Sequence, residues 1–318
     1  MIITVTLNPA LDKTARVDVL RPNALNRLQG VTLDAGGKGV NVSAMIRSLG
    51  GESVAVGFSG GGAGEELRAL VAKKGITSDF VRVAAVTRTN LKVVADDGAL
   101  TEFNEPGPEI RDAEWRELEQ KLSSYAAGGN TVVLSGSLPA GLGKDTYKKL
   151  SAMLRRAGAS VFLDTDGEAL KRALESAPEE IPDYIKPNRY ELLQYFGMPD
   201  DKGAACTETE LAELCRTLIG KGIKLVSLSM GEAGAIFVNG NGVWRAPALP
   251  VQVRSTVGAG DSMTGALVHG FEQGLPEEQC FALAMAASAG ACTTEGTNPP
   301  SRALVDTLLT QTRMEKIA

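Results

Sequence analysis

Short apolar runs alternate with helical periodicities along most of the chain. Ile2–Leu7, Ser53–Phe58, Thr131–Leu134, Ser160–Leu163 and Leu225–Leu228 are brief and rich in Val, Ile and Leu. Runs of this kind predict strands buried on both faces. Between them, Trp115, Leu118, Leu122 and Tyr125 fall at i, i+3, i+7 and i+10. Tyr147, Leu150, Met153 and Leu154 fall at i, i+3, i+6 and i+7. Both sets mark one apolar stripe on a helix. The alternation predicts an α/β fold with a mostly parallel sheet under helices. Ligands in such sheets gather at the carboxyl ends of the strands.

Two segments break the pattern. Thr14 to Asp34 alternates weakly, as in Ala15-Arg16-Val17-Asp18-Val19, and so does Thr89 to Asn104. The second carries Asp97-Gly98 between two strand-like halves, a strong hairpin signal. Both read as half-exposed strands of a small β lid beside the main sheet. The alanine-rich stretch Cys280 to Cys292, broken by Ser288 and Gly290, is too short to span a bilayer and predicts a buried helix.

The 318 residues suit one large α/β domain with a small appendage. At 43% hydrophobic and 22% charged residues the chain holds enough apolar surface for a sizeable core, which excludes disorder. A net charge of −5 argues against a nucleic-acid or anionic-membrane surface. A small anionic substrate needs only a local cationic pocket. The four cysteines, at 206, 215, 280 and 292, form neither a CxxC pair nor a zinc knuckle and read as thiols of a reducing cytosol. His269 is the lone histidine, so no polyhistidine metal site exists, and a structural place on a late helix is expected for it. The start MIITVTLNPALD lacks the charged and apolar regions of a signal peptide, so a cytoplasmic protein is expected.

The chemistry concentrates in glycine-rich loops. None reads GxxxxGK[ST] or completes GxGxxG, so Walker and dinucleotide fingerprints are absent. Ser255-Thr256-Val257-Gly258-Ala259-Gly260-Asp261-Ser262 follows a strand-like Val251–Arg254 and opens a helical pattern, Ser262 to Phe271. Small residues at a helix mouth leave backbone N–H groups free for an anion. Asp261 is either a helix N-cap or a base that takes the proton of an attacking hydroxyl in phosphoryl transfer. Gly36-Gly37-Lys38-Gly39-Val40-Asn41-Val42-Ser43 opens a second helix, Val42 to Leu49, and adds a cation and an amide.

Asp12, GGKGVNVS at 36–43 and STVGAGDSMTGA at 255–266 together resemble the ribokinase-like, PfkB carbohydrate kinase family. The likeness runs the whole length of the chain. It is strongest to the phosphosugar branch, which holds 1-phosphofructokinases and tagatose-6-phosphate kinases, through TVTLNPALD at 4–12, TRTNLK at 87–92, SGSLPAG at 135–141 and KPNRYEL at 186–192. The resemblance implies one ribokinase-like domain over 1–318, a three-layer α/β/α fold with a mostly parallel sheet and a lid from about 12–35 and 87–106.

It also implies roles. Asp261 is the expected catalytic base, with Gly258, Ala259 and Gly260 as anion hole. Asp12, Asn41 and the Gly37 backbone are expected on sugar hydroxyls, and Lys38 with Arg88 on the phosphate already on the sugar. Asn90, Asn104 and Ser137 are candidates for lining that pocket. Lys186 is expected near the nucleotide phosphates, and Ser229-Met230-Gly231-Glu232-Ala233-Gly234 along the ATP site. Asn188 and Glu191 are expected to organise Mg²⁺, partly through water, or simply to start a helix. One departure stands out: the family often writes Asp-Thr before GAGD, and this chain has Ser255-Thr256. The implied reaction is ATP-dependent phosphorylation of a ketohexose phosphate, fructose 1-phosphate first. Tagatose 6-phosphate, then fructose 6-phosphate, are the alternatives, and a non-catalytic phosphosugar sensor is the other class. The resemblance further implies a homodimer through the lid, with no nucleic-acid or membrane partner.

Overall fold

The computed structural model describes residues 1–198 and 206–318. The first half runs β1 (Ile2–Thr6), β2 (Ala10–Val17), β3 (Gly30–Gly36), α1 (Lys38–Ser48), β4 (Ser53–Gly60), α2 (Gly61–Lys73), β5 (Thr77–Ser78), β6 (Val81–Val83), β7 (Arg88–Ala95), β8 (Leu100–Asn104), α3 (Asp112–Ala126) and β9 (Thr131–Ser135). It continues through α4 (Thr146–Arg156), β10 (Ser160–Asp164), α5 (Gly167–Leu174), β11 (Tyr184–Ile185), α6 (Arg189–Tyr195), α7 (Glu208–Gly220) and β12 (Leu225–Ser229). Then come β13 (Ala235–Asn239), β14 (Gly242–Ala246), α8 (Ala259–Glu272), α9 (Glu277–Ala291), α10 (Arg302–Leu309) and β15 (Glu315–Lys316).

All five apolar runs are strands of one sheet, ordered β15-β14-β13-β12-β11-β10-β9-β1-β4-β5, with β6 also on β4. The strands from β12 to β5 pair in parallel. The β12–β13–β14–β15 edge is antiparallel. Alternate residues of each central strand face opposite layers, as the pleat dictates. Ile3, Val5, Val132, Leu134, Val161 and Leu163 pack with Leu118 and Leu122 of α3 and Tyr147, Leu150 and Leu154 of α4. Ile2, Val133 and Phe162 pack on the other side with Val42 and Ile46 of α1, Met263 and Leu267 of α8 and Phe281 of α9. The result is a ribokinase-like three-layer α/β/α arrangement. Each buried large aliphatic side chain contributes roughly 1.5–3 kcal/mol relative to leaving it exposed.

The two irregular segments do form a second sheet, ordered β3-β2-β7-β8. Its strands begin at Ala10, slightly before the expected start of the lid, and leave 18–29 as a loop. The Asp97-Gly98 turn joins β7 and β8, but as a three-residue loop: Ala95 N–H donates to the Ala99 carbonyl, and Gly98 has φ 87°. Cross-strand partners share a face. Asp12 lies opposite both Asp34 and Asn90, and Asn90 opposite Asn104. Leu33, Lys13, Leu91 and Phe103 form the neighbouring row on the reverse face.

Three expectations need correction. Val251–Arg254 is not a strand. It is held instead by Arg254 and Ser255 N–H groups donating to the Cys292 carbonyl, at the end of α9. Both glycine-opened helices begin earlier than their apolar periodicity, α1 at Lys38 and α8 at Ala259. In these first turns Lys38, Asn41 and Ala259 to Asp261 face a cavity, whereas Val40 packs into the core, so little apolar periodicity marks the starts. No helix is long and apolar enough to cross a membrane, among the described residues.

Candidate active site

A cavity of about 1160 Å³ lies where the carboxyl ends of β1, β9, β10, β11 and β12 meet the lid and the mouths of α1 and α8. It gathers nearly every candidate residue: Asp12, Gly37, Lys38, Asn41, Arg88, Asn90, Ser137, Lys186, Asn188, Glu191, Ser229, Gly231, Glu232, Gly234 and Gly258 to Asp261. Asn104, Met230 and Ala233 stay outside its wall. Asn104 shares the inner face of the lid but lies one strand too far out, on exposed β8. Met230 packs against the core, and Ala233 is exposed.

At the centre is Asp261, buried in the first turn of α8. It is not the N-cap. That position belongs to Gly258, whose φ of 82° lies in the left-handed region that glycine enters without strain. The Asp261 carboxylate instead accepts a 2.8 Å hydrogen bond from Asn41 Nδ2, on the facing helix α1. Gly265 makes this approach possible. A Cβ there would sit 2.8 Å from Met45 Cβ and 2.9 Å from the Val42 carbonyl oxygen, so only glycine lets α8 lie this close to α1. The Ala259 N–H bends back to the Thr256 carbonyl. Among the described residues, the Gly258 and Gly260 N–H groups have no backbone partner, which leaves them to face an anion. Burial, with Asp164 adding, raises the Asp261 carboxyl to about 6, against the pull of Asn41, Lys38 and Lys186.

Asp164, at the end of β10, is 2% exposed and bridges two lysines. Lys38 Nζ lies 3.0 Å from Oδ1 and Lys186 Nζ 3.3 Å from Oδ2. Burial opposes its charge, but the two ammonium groups outweigh that and hold its carboxyl below the usual range. Asp164 in turn drives the Lys38 ammonium far up, so Lys38 stays charged. The other charged neighbours of Lys38 are Asp261 and Glu191, whereas those of Arg88 are Asp12 and Glu105. The two cations expected to act as one phosphate cluster therefore sit in different surroundings. Lys186 Nζ also lies 2.9 Å from where a Cβ on Gly260 would be, directly beside the helix mouth.

The lid supplies the other end. Arg88, Asn90 and Lys92 occupy alternate positions of β7 and all face the cavity. Asp12 accepts from Asn90 Nδ2 at 2.9 Å and from Lys92 Nζ at 3.0 Å. Arg88 donates through its two Nη atoms to the Glu105 and Asn8 carbonyls. Among the described residues its Nε is buried without a partner, as are Asn90 Oδ1, Asn8 Oδ1 and Thr6 Oγ1. Burial lowers the Arg88 pKa. Ser137 Oγ accepts from Asn8 Nδ2 at 3.2 Å. Unpaired buried polar atoms cost about 1–3 kcal/mol each, so this end is built for a polar ligand.

At the opposite end, Asn188 and Glu191 form a reciprocal capping box on α6. Asn188 Oδ1 accepts from the Glu191 N–H, and Glu191 Oε2 accepts from the Asn188 N–H, both at 2.8 Å. The helix-start reading is therefore correct, and both side chains also face the cavity. Burial raises the Glu191 carboxyl, against the pull of the Asn188 N–H, Lys186 and Lys38. No group of three or more His, Cys, Asp or Glu side chains is arranged to hold a metal among the described residues. One carboxylate and one amide suit only a largely hydrated ion that arrives on phosphate. Leu249, Pro250, Val251, Met285 and Ala289 wall an apolar slot there. Ser255, in place of the carboxylate often seen, accepts the Val257 N–H and so tightens the loop. His269 is buried on α8 outside the cavity wall, and all four cysteines are free thiols.

Asp164 and Lys92 were not singled out from sequence. Asp164 immediately follows the strand-like Ser160–Leu163, and the rule that strand ends hold ligands points to it. Lys92 is found by the period of two from Arg88.

The chain matches the model of the pfkB family carbohydrate kinases over residues 5–304. It is 43% identical over 288 residues to the 1-phosphofructokinase of Xanthomonas campestris, covering 90% of this chain and 89% of that one. To the 1-phosphofructokinase of Bacillus subtilis it is 32% identical over 317 residues, covering 100% of both chains. Phosphofructokinase-2 from Escherichia coli, solved in complex with fructose-6-phosphate, superposes with a TM-score of 0.88 at 27% identity, covering 98% of both chains. With the family model spanning nearly the full length and the same fold around the cavity, the chain belongs to the pfkB family of carbohydrate kinases, phosphotransferases that act on an alcohol group.

Proposed function

We propose that the chain transfers the γ-phosphoryl group of ATP to the free primary hydroxyl of a ketohexose monophosphate, with fructose 1-phosphate as substrate and fructose 1,6-bisphosphate and ADP as products. The observation that carries this reading is Asp261: a buried carboxylate, held by Asn41 at the mouth of α8, between a cationic polar lid and an apolar slot. Arg88 grips the phosphate already on the sugar, because its planar fork suits phosphate oxygens. Asp12 takes ring hydroxyls. Asp261 accepts the proton as the sugar oxygen bonds to phosphorus and the bond from phosphorus to the β-phosphate oxygen breaks. The Gly258 and Gly260 N–H groups and the α8 dipole face the charge that develops on the moving group. Lys38 and Lys186 flank it from either side of Asp164. Glu191 and Asn188 would hold magnesium carried on ATP, partly through water, and the ion would offset phosphate charge. The lid excludes water, which limits ATP hydrolysis.

The names of the relatives support fructose 1-phosphate over tagatose 6-phosphate and fructose 6-phosphate. A non-catalytic phosphosugar sensor has no need of a base with Asp261's surroundings. Free thiols fit a cytoplasmic setting. We further assign a homodimer through the reverse face of the lid, where Val31, Leu33 and Phe103 are exposed apolar residues on cross-strand rows.

The test is ADP release with Mg-ATP and each of the three ketohexose phosphates, compared by kcat/KM. A clear preference for fructose 1-phosphate is expected. Preference for tagatose 6-phosphate would reverse the assignment of the two pocket ends, and silence on all three would sink the kinase reading for this substrate class.

A further inference from the structure

Lys92 has no part in the roles described so far, yet it is among the most enclosed cations of the molecule, with its side chain 12% exposed. It lines the cavity two positions along β7 from Asn90 and four from Arg88. One ammonium N–H goes to Asp12 Oδ2 at 3.0 Å. Among the described residues it makes no other hydrogen bond, so two donors remain for something in the cavity. Asp12 is equally constrained. Asn90 takes Oδ1, Lys92 takes Oδ2, and the Gly36 backbone presses so close that a Cβ there would lie 2.5 Å from the carboxyl carbon. The carboxylate cannot turn to suit a ligand.

A fixed carboxylate with an ammonium 3.0 Å away presents one acceptor and one donor side by side. That is the complement of a vicinal diol, in which one hydroxyl donates to the carboxylate and its neighbour accepts from the ammonium. We propose that the Asp12–Lys92 pair reads a vicinal diol of the ketose ring, and that Lys92 is a specificity-determining residue for the ketohexose phosphate. The inference rests on the sugar-kinase reading above. Fructose and tagatose differ in the orientation of one hydroxyl of such a diol, trans in one furanose ring and cis in the other. A rigid donor–acceptor pair separates the two, because the mismatched ring leaves a buried donor unpaired.

The test compares wild type, Lys92→Met and Lys92→Arg with fructose 1-phosphate and tagatose 6-phosphate, with folding followed by circular dichroism. Methionine keeps most of the stem and removes the charge. Lys92→Met is expected to raise KM for the preferred ketose phosphate about 10- to 100-fold, as for loss of a charge-assisted hydrogen bond, while KM for ATP stays within about twofold. Its preference between the two sugars shrinks. Lys92→Arg keeps the charge and restores most of the affinity, but it does not restore the wild-type preference, because a planar fork places its donors differently. An unchanged sugar KM in Lys92→Met would overturn the inference, as would wild-type preference in Lys92→Arg. If Lys92→Met does not fold, the preference of Lys92→Arg decides alone. Wild-type silence on both sugars and on fructose 6-phosphate would instead overturn the underlying substrate reading, and this inference with it.

Discussion

Asn41→Ala separates two accounts of the same side chain. Its side-chain amide lines the cavity, yet among the described residues its one hydrogen bond is the 2.8 Å donation to Asp261 Oδ2. That bond favours the ionised carboxylate and opposes the burial that lifts Asp261 to about 6. A hydrogen bond to a charged group contributes about 1.5–3 kcal/mol. At 1.36 kcal/mol per unit, its loss moves the Asp261 carboxyl up by about one to two units. A base works only when deprotonated, so activity falls as pH drops through that value. The acid limb of kcat/KM should move from about 6 in wild type to between about 7 and 8 in Asn41→Ala. At pH 7 the variant then loses several-fold, and near pH 9 it approaches wild type. The assay is coupled ADP release from pH 5 to 9, with both proteins on the same sugar, so ionisation of the substrate phosphate cancels in the ratio. A loss by one constant factor at every pH would show that Asn41 serves the sugar and not the base, and would refute the reasoning.

Asp261→Asn should lower kcat by about 10²- to 10⁴-fold, the usual share of a general base, while phosphosugar affinity stays within a few-fold; near-wild-type turnover would remove Asp261 as the base. The same variant should melt at a higher temperature than wild type at pH 8. The raised carboxyl stabilises the fold fully only below its unfolded value of 3.8 and loses that contribution as pH rises through about 6. The shift amounts to about 3 kcal/mol, and a melting gain independent of pH would contradict it. Arg88→Ala should raise KM for the phosphosugar at least about tenfold and leave KM for ATP unchanged; equal losses for both ligands would mean the phosphate anchor lies elsewhere. Phe103→Asp on the exposed lid face should shift sedimentation from dimer to monomer; an unchanged sedimentation coefficient would move the interface off the lid.

The layered sheet was legible because its strands are apolar on both faces and its helices are not. Val132, Val133 and Leu134 serve two different cores in turn, so the run carries no polar gap. The antiparallel edge escaped notice. β13 does carry a four-residue apolar run, Ala235–Val238, and the Gly240-Asn241 turn follows it, but β14 mixes Arg245 into a short strand and β15 is two residues long. The helix mouths were placed too late for a related reason. Lys38, Asn41 and residues 259–261 line the cavity, and Gly39 is pressed against Thr6 and Val5, so these positions interrupt the periodicity that marks a helix. Within the site, glycine motifs announced Asp261 and Asn41. Asp164 carries no motif. Its importance comes from position, at a strand end between residues 126 and 22 places away along the chain, and only the fold brings those together.

The cavity wall carries the cations Lys38, Arg88, Lys92 and Lys186 against the acids Asp12, Asp164, Asp166, Glu191, Glu232 and Asp261. The wall thus holds more acids than cations, although both proposed substrates are polyanions. The pairing resolves this. Asp12 is occupied by Lys92 and Asn90, Glu191 accepts from its own helix, and Asp164 takes both central lysines. A lysine that paired with Asp261 instead would favour its ionised form and draw its carboxyl down toward the ordinary range, leaving a weaker base. By engaging Lys38 and Lys186, Asp164 holds two ammonium groups where a phosphoryl group can meet them. Its own charge also keeps Asp261 raised. In the proposed mechanism, one buried carboxylate therefore preserves both the cations that would meet the phosphoryl group and the basicity of Asp261.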